Sequence, residues 1–211
     1  MTRSKLMALT AMTLAIGAST AAAQGLQMTI RPDSKLSLAG SSNVHDWSCK
    51  SSEFLATVEV DPGFVARPLT QIAQPISKVS VAIPVRTLKC GHAKMDDNMY
   101  KALNTDQYPD IKYTLTSYTI EKATATADTF VANTVGELSV AGQTIKVSIP
   151  IKTERLAGGA AVGEGTVALK MTDFGIKPPV ALLGTLRTKD AISISFKVLL
   201  DRSVVVALGQ H

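Results

Sequence analysis

The densest group of polar and aromatic residues in the chain is the run Asn43-Val44-His45-Asp46-Trp47. A catalytic interpretation would make His45 a general base that Asp46 orients. Adjacent residues on a strand point to opposite faces of a sheet, so they do not readily form such a dyad. We therefore interpret the run as the end of a strand, where Trp47 plugs the interior and His45 hydrogen-bonds locally.

The histidines and acidic residues show no metal-ligand spacing. His45, His92 and the terminal His211 are the three histidines, and none belongs to a His-x-x-x-His zinc motif. The adjacent acids Asp96 and Asp97 are more typical of a solvated helix start than of a cation site. We predict that neither His45 nor His92 is catalytic or ligates a metal, and that the protein needs no cofactor.

Two short motifs resemble parts of known catalytic sites without their context. The triplet Asp173-Phe174-Gly175 occurs in kinases, but the catalytic loop and the glycine-rich phosphate loop are absent. We interpret Phe174 as core and Gly175 as a bend. Gly163-x-Gly165 lies in a strand pattern and precedes no helix, so it is no nucleotide loop. The sequence therefore predicts a protein that is not an enzyme.

The first 23 residues have the organisation of a secretory signal peptide. Arg3 and Lys5 precede the apolar run 6–18, and Ala21-Ala22-Ala23 supplies the small residues of a cleavage site. The run is shorter than the span of about 20 residues that a membrane helix needs. We expect cleavage near Ala23, a periplasmic or secreted location, and a single domain over residues 24–211.

The composition is that of a globular protein, with 45% hydrophobic and 18% charged residues. Removal of residues 1–23 leaves 188 residues and lowers the formal charge from +5 to +3. The basic residues are scattered, so we expect no nucleic-acid partner. No later apolar stretch reaches membrane-helix length, which predicts a soluble mature chain. The composition leaves the oligomeric state open, a homodimer included.

Cys49 and Cys90 are the only cysteines, 41 positions apart. Oxidising compartments favour pairing of such thiols, and closing the loop stabilises a fold by about 4 kcal/mol in the chain-entropy model. We predict a disulfide; the alternative is two independent buried thiols. A metal site is disfavoured because the paired Cys-x-x-Cys knuckle is missing.

Period-two alternation of apolar and polar residues dominates the rest of the chain and predicts antiparallel strands with one buried face. Asp61-Pro62-Gly63 and Ala141-Gly142 supply turn residues between them. Long antiparallel strands stack as a sandwich or curl into a barrel, and the pattern alone does not decide. The clearest alternating segments are 54–60, 79–85, 111–115, 130–140, 143–155, 167–171 and 192–200.

One segment departs from this pattern. Met95, Met99, Ala102 and Leu103 recur at helical spacing, and two acids fall in the first turn, where the helix dipole favours them. The sequence therefore predicts an all-β domain with one short helix near residues 95–104.

Several segments together resemble the YceI-like family of exported bacterial proteins. The most specific is the predicted helix followed by Tyr108-Pro109-Asp110-Ile111. The sequence departs from the common family pattern in its cysteine pair and in the longer connection 67–75. The matching segments are 35–47, 79–88, 95–103, 108–113, 136–142 and 171–176.

The resemblance implies a single extended, lipocalin-like antiparallel barrel whose apolar lumen holds a polyisoprenoid or another long amphipathic, fatty-acid-like lipid. Small inward residues, Ala132, Gly136, Gly163 and Gly165, would leave volume open for such a ligand, or would mark places where the sheet bends. The alternative is an envelope adaptor or stress-related protein-binding module with a filled barrel and no lipid.

One face of every strand in a curled sheet turns inward, and here that face is apolar. We predict that the lumen is lined by Phe54, Val58, Val81, Ile83, Ile111, Tyr113, Phe130, Leu138, Ile145, Val147, Ile149, Leu169, Phe174, Ile194 and Phe196.

Overall fold

The computed structural model describes residues 25–121 and 125–203, and the expected signal peptide and His211 lie outside the described residues. Antiparallel strands dominate and overlap each of the segments that alternation predicts, while the strands at 26–30, 35–42, 46–51 and 180–181 lie outside those segments. The strands are β1 (Leu26–Ile30), β2 (Lys35–Ser42), β3 (Asp46–Ser51), β4 (Leu55–Val60), β5 (Ile76–Pro84), β6 (Asp110–Ile120), β7 (Thr129–Val140), β8 (Gln143–Arg155), β9 (Ala161–Lys170), β10 (Val180–Ala181) and β11 (Leu186–Arg202).

The strands close into an antiparallel barrel with eight strand positions. β1 and β2 lie end to end along β11, and β4 and β3 pair with them in the next position. β5 to β9 follow in chain order, β9 pairs with β11, and the β1–β11 pairing closes the ring. The prediction of an all-β barrel is confirmed.

One α-helix, α1 (Ala93–Ala102), interrupts the β pattern, close to the predicted 95–104. It lies in the connection between β5 and β6. Within residues 25–121 and 125–203, the other helical segments are single 3-10 turns at Pro62–Val65, Leu69–Gln71, Val85–Thr87, Ala157–Gly159, Met171–Phe174 and Leu182–Gly184.

The two ends of the barrel carry different connections. We call the end with connections 43–45, 85–109, 141–142 and 171–185 the mouth end. The closed end carries connections 61–75, 156–160 and the described part of 121–128. The hairpin between β7 and β8 is a tight two-residue turn, because Ala141 and Gly142 both adopt positive φ, 48° and 82°.

Buried apolar side chains form two clusters inside the barrel. The mouth-side cluster contains Leu36, Ile83, Val85, Leu88, Leu103, Ile111, Leu138, Val140, Val147, Ile149, Met171, Phe174 and Ile176. The closed-end cluster contains Met28, Val58, Val60, Phe64, Leu69, Ile72, Phe130, Ala132 and Ala161.

The predicted disulfide between Cys49 and Cys90 is present in the structure. Cys49 is buried on β3, and Cys90 lies in the connection that leads to α1. Next to it, Lys50 and Lys89 exchange two backbone hydrogen bonds of 2.8 and 2.9 Å. The disulfide and this bridge together fasten the helix connection to the barrel wall.

Candidate functional site

An internal cavity of about 410 Å³ runs along the barrel and touches both clusters. Phe64 and Ala161 border it at the closed end, and His45 and Thr188 border it at the mouth end. Among the described residues, its wall contains no Lys, Arg, Asp or Glu. Such a wall suits an uncharged, apolar chain.

Twelve of the fifteen predicted lumen residues lie on the cavity wall. They are Phe54, Val58, Val81, Ile83, Ile111, Tyr113, Leu138, Ile149, Leu169, Phe174, Ile194 and Phe196. Contact of these side chains with a ligand remains a prediction.

The other three predicted lumen residues lie off the wall. Phe130 belongs to the closed-end cluster and is fully buried. Ile145 packs against the mouth-side cluster, and Val147 lies within it. Val147 pairs across the strands with Gly136, the position that the Tyr113 ring covers. Alternation indicates which face a side chain takes but not how deep it lies behind its neighbours.

Helix α1 and Leu103, the residue that follows it, form a part of the wall that alternation does not predict. Met95, Asn98, Met99, Ala102 and Leu103 all border the cavity. Their helical spacing indicates that they share one face of the helix, and this spacing is the sequence feature that could have predicted their place on the wall. The helix therefore closes part of the mouth end with a flexible, methionine-rich surface.

Two of the small inward residues do not leave open volume, contrary to the expectation from sequence. A Cβ on Gly136 would lie 2.5 Å from the Tyr113 ring, and a Cβ on Gly165 would lie 2.6 Å from Phe196. Aromatic rings from neighbouring strands occupy the space that these glycines vacate. Gly163 does border the cavity, whereas Ala132 is fully buried in the closed-end cluster.

A short hydrogen-bond chain behind Tyr113 joins the neighbouring strands β6, β7 and β8. The Tyr113 hydroxyl donates to Thr134 Oγ1 over 3.3 Å, and Thr134 Oγ1 donates to the Ile149 carbonyl over 2.7 Å. Burial raises the pKa of the Tyr113 hydroxyl, and the bond to Thr134 partly opposes that rise. The chain satisfies the polar groups that the apolar interior would otherwise leave unpaired.

A single guanidinium holds the closed end together. Arg155, only 13% exposed, donates from Nη1 to the carbonyls of Phe64 and Arg67, and from Nη2 to that of Ala127. Its Nε also donates to Asp128 Oδ1 over 2.9 Å. These partners belong to two different connections, while Arg155 itself ends β8. The closed end is thus sealed by polar bonds outside an apolar plug.

The two described histidines, which we predict to be neither catalytic nor metal-ligating, are far apart in sequence and lie in different connections. His45 lies at the mouth end and borders the cavity, with its backbone N–H bonded to Ser42 Oγ. His92 is exposed at the start of α1. Within residues 25–121 and 125–203, no three His, Cys, Asp or Glu side chains are placed to hold a metal ion. No helix in these ranges is long and apolar enough to span a membrane.

Known proteins resemble this chain in sequence pattern and in fold. The family model of the YceI-like domain matches residues 33–200. No curated protein sequence matches the chain. The solved structures that follow are similar in fold.

The structure of BcnA from Burkholderia cenocepacia is 17% identical, with a TM-score of 0.64, over 81% of this chain and 99% of that one. A polyisoprenoid binding domain from Saccharophagus degradans, implicated in plant cell wall breakdown, is 11% identical, with a TM-score of 0.62, over 85% and 99%. The YCEI protein of Campylobacter jejuni is 15% identical, with a TM-score of 0.53, over 92% and 100%.

Proposed function

Because the chain belongs to the YceI-like family, we propose that it is an exported binding protein for a polyisoprenoid or another long amphipathic lipid. The ligand's apolar chain lies in the barrel cavity, and its polar head lies toward the mouth end. The observation that carries the proposal is the continuous apolar cavity of about 410 Å³. The Saccharophagus degradans domain of similar fold is described as polyisoprenoid binding, which supports this ligand class.

Burial of the lipid chain would supply the affinity. Each buried methylene contributes about 0.8 kcal/mol, so a chain of many such groups binds tightly without polar contacts. The alternative, a packed barrel that acts only as an adaptor, requires a filled interior. The cavity through both clusters favours the carrier.

We also propose that the protein is exported and that it binds its ligand without catalysing a reaction. The signal-like residues 1–23 indicate secretion, and the Cys49–Cys90 disulfide suits an oxidising compartment. The cavity wall has His45 as its one histidine among the described residues, with no charged side chain beside it on that wall. We therefore assign the protein a binding role and no catalytic step.

Organic extraction of the protein purified from the envelope, followed by mass spectrometry, tests the proposal directly. We expect a long-chain lipid in stoichiometric amount. An extract without lipid, from protein that also takes up none when incubated with lipid, would favour the adaptor.

A charge placed in the cavity tests the site. Ile83→Glu puts a carboxylate on the wall, whereas the control Ser80→Glu changes an outward-facing residue of the same strand. We expect the first variant to lose lipid uptake and the second to retain it, with circular dichroism showing both folded. A folded Ile83→Glu variant with parental uptake would show that the cavity is not the binding site.

A further inference from the structure

The indole of Trp47 holds a hydrogen-bond donor that the described protein does not use. Its Nε1 is buried and has no partner among residues 25–121 and 125–203. Buried tryptophan N–H groups usually find an acceptor, and leaving one unpaired costs about 1–3 kcal/mol. A donor in this state indicates that something outside the described chain accepts the bond.

The position of Trp47 is set by the wall around it. Trp47 pairs with Gly40 across β2 and β3, and a Cβ on Gly40 would lie 2.4 Å from the indole Cζ2. Only glycine therefore lets the ring lie against the neighbouring strand. Two residues further along β3, the Cys49 disulfide anchors the same inward face. The indole is held in place rather than free to turn toward another partner.

The surroundings of Trp47 separate an apolar interior from a polar entrance. Trp47 borders the cavity, as do Ser42, His45, Asn98 and Thr188 at the mouth end. The Ser42 hydroxyl is already engaged, since it donates to the His45 carbonyl over 2.9 Å. An oxygen of a ligand that enters from the mouth would meet Trp47 at the boundary.

We infer that the ligand carries an uncharged acceptor oxygen, as in a long-chain alcohol, carbonyl compound or ester, and that this oxygen accepts a hydrogen bond from Trp47 Nε1. This inference rests on the proposed lipid-binding function. The uncharged class follows because the described cavity wall contains no Lys or Arg to neutralise a phosphate. Trp47 is thus a specificity residue for the head of the lipid, and a pure hydrocarbon would leave its donor unpaired.

A matched ligand pair tests this inference with the lipid-stripped protein. Phytanol and phytane share one branched skeleton and differ by a single hydroxyl group. Trp47→Phe keeps an aromatic ring but removes the donor. We expect the parent's preference for phytanol over phytane to fall about five- to tenfold in the variant, the value of one net hydrogen bond, while phytane binding changes little.

Because Trp47 is the only tryptophan in the chain, the parent protein supplies a second readout. In ¹⁵N-labelled protein the single indole N–H resonance should move to lower field with phytanol and stay nearly in place with phytane. This measurement does not depend on the variant's folding.

The outcomes separate the inference from the function on which it rests. If the parent binds both lipids but the variant keeps the same preference, or the indole resonance responds equally to both, the head-group inference is wrong and lipid binding stands. If the parent binds neither lipid, the lipid-binding function and the inference both fail.

A second, independent observation concerns three exposed apolar side chains at the mouth end. Val44 is 67% exposed, Val180 is 54% exposed, and Leu183 is fully exposed. Asn43 brings them together, because its side chain accepts a hydrogen bond from Arg187 N and donates one to the Thr185 carbonyl, each 2.8 Å long. We call Val44, Val180 and Leu183 the apolar tip.

Cationic side chains lie in the same segment as Val180 and Leu183 of the apolar tip. Residues 176–189 contain Lys177, Arg187 and Lys189, all exposed, and no acidic residue. The neighbouring acid Asp190 accepts two hydrogen bonds from Thr172, at 2.7 and 2.9 Å. Apolar side chains that project beside a cationic loop complement an anionic bilayer surface, where the cations meet headgroups and the apolar groups enter the interface.

We propose that the apolar tip docks the mouth end on an anionic lipid bilayer. The same segments border the cavity through Pro179, Leu186 and Thr188. Docking by the tip therefore places the mouth end of the cavity against the membrane from which a lipid would be taken or to which it would be delivered.

Vesicle sedimentation tests the docking. We expect the parent protein to bind phosphatidylcholine vesicles that contain phosphatidylglycerol, and to bind them less at high salt. Leu183→Ser should weaken partitioning about tenfold, as expected for the loss of one buried leucine. The control Leu55→Ser changes an equally apolar, 63% exposed residue outside the tip and should leave partitioning unchanged.

Two results would overturn the docking. One is equal vesicle binding by Leu183→Ser and the parent. The other is a dimer in analytical ultracentrifugation that Leu183→Ser dissociates, which would assign the tip to a second copy of the chain. Uptake of phytanol from detergent solution, which needs no vesicle, shows in either case whether lipid binding itself remains.

Discussion

The closed end and the mouth end of one barrel are held by different kinds of interaction. At the closed end an apolar plug around Phe64 and Phe130 lies beneath the hydrogen bonds of Arg155. At the mouth end a disulfide and a ten-residue helix border the cavity, and apolar side chains face solvent. Binding sites and moving elements are drawn from the less stable parts of a fold.

The comparison indicates that the closed end contributes stability and that the mouth end is the side of ligand access. The closed end buries its polar backbone groups against a side chain that satisfies several of them at once. The mouth end restrains its connections covalently and leaves apolar surface uncovered. Variants at each end can therefore test whether the two ends are stabilised independently.

Removal of the disulfide should have the largest effect. Cys49→Ser with Cys90→Ser opens a loop of 41 residues, and we expect the free energy of unfolding to fall by about 4 kcal/mol in the chain-entropy model. Urea denaturation measures the loss. Hydrogen exchange should show faster opening of 85–109 at the mouth end, with protection at the closed end reduced only by the global change.

The same two measurements can refute the hypothesis that the two ends are stabilised independently. If exchange accelerates first around 61–75, then the closed end depends on the disulfide, and the two ends are not independently held. Reduction of the parent protein under native conditions provides the control, since it breaks the bond without changing a side chain.

Arg155→Ala should cost about 3 kcal/mol, because it breaks an ion pair with Asp128 and several charge-assisted bonds to carbonyls. The matched control at the mouth end is Arg86→Ala. Its pair with Asp106 is exposed, 63% and 89%, so the expected loss is below about 1 kcal/mol. Thermal and urea denaturation measure both, and equal losses would refute the assigned role of Arg155.

Alkaline titration should show the smallest effect. Burial raises the pKa of Tyr118, whose hydroxyl accepts from Ile76 N and donates to Ile76 O, each over 2.9 Å. As the pH rises past the usual tyrosine value of about 10, the unfolded chain loses its proton first, so stability falls until the folded pKa is reached. Tyr118→Phe should make this fall shallower.

Tyr113→Phe provides the comparison on the mouth side, since burial also raises the pKa of Tyr113. Ultraviolet absorbance of the phenolate, followed with pH, should lose its latest-titrating component in the two variants. An unchanged titration curve in both would show that these hydroxyls are not the shifted groups.

Much of the fold could be predicted from residue pattern because the barrel repeats a local rule. The strands around 130–140 and 143–155, the turn at Ala141-Gly142 and the helix near 95–104 all follow from alternation, turn chemistry or helical spacing. The disulfide followed from two cysteines behind a signal-like segment. Each of these inferences needs only residues near in sequence, or a count.

For the candidate site, the sequence predicted only which side chains of each strand face inward. Alternation placed Ile83 and Phe196 on the inward face, where they border the cavity. It placed Val147 and Phe130 there too, yet both are buried in the clusters without bordering the cavity. How far an inward-facing side chain lies from the cavity depends on which aromatic rings cover its strand. Those contacts form between different strands, so alternation within one strand does not predict them.

Periodicity and composition are local properties, and they were enough to predict antiparallel β-structure, the helix, the cysteine pairing and the apolar character of one face. That aromatic rings fill the spaces over Gly136 and Gly165 was visible only in the folded barrel. The three-dimensional arrangement also placed Arg155 against two separate connections and left the Trp47 N–H beside the cavity without a partner among the described residues. These features arise where distant segments meet, and barrel closure alone sets those meetings.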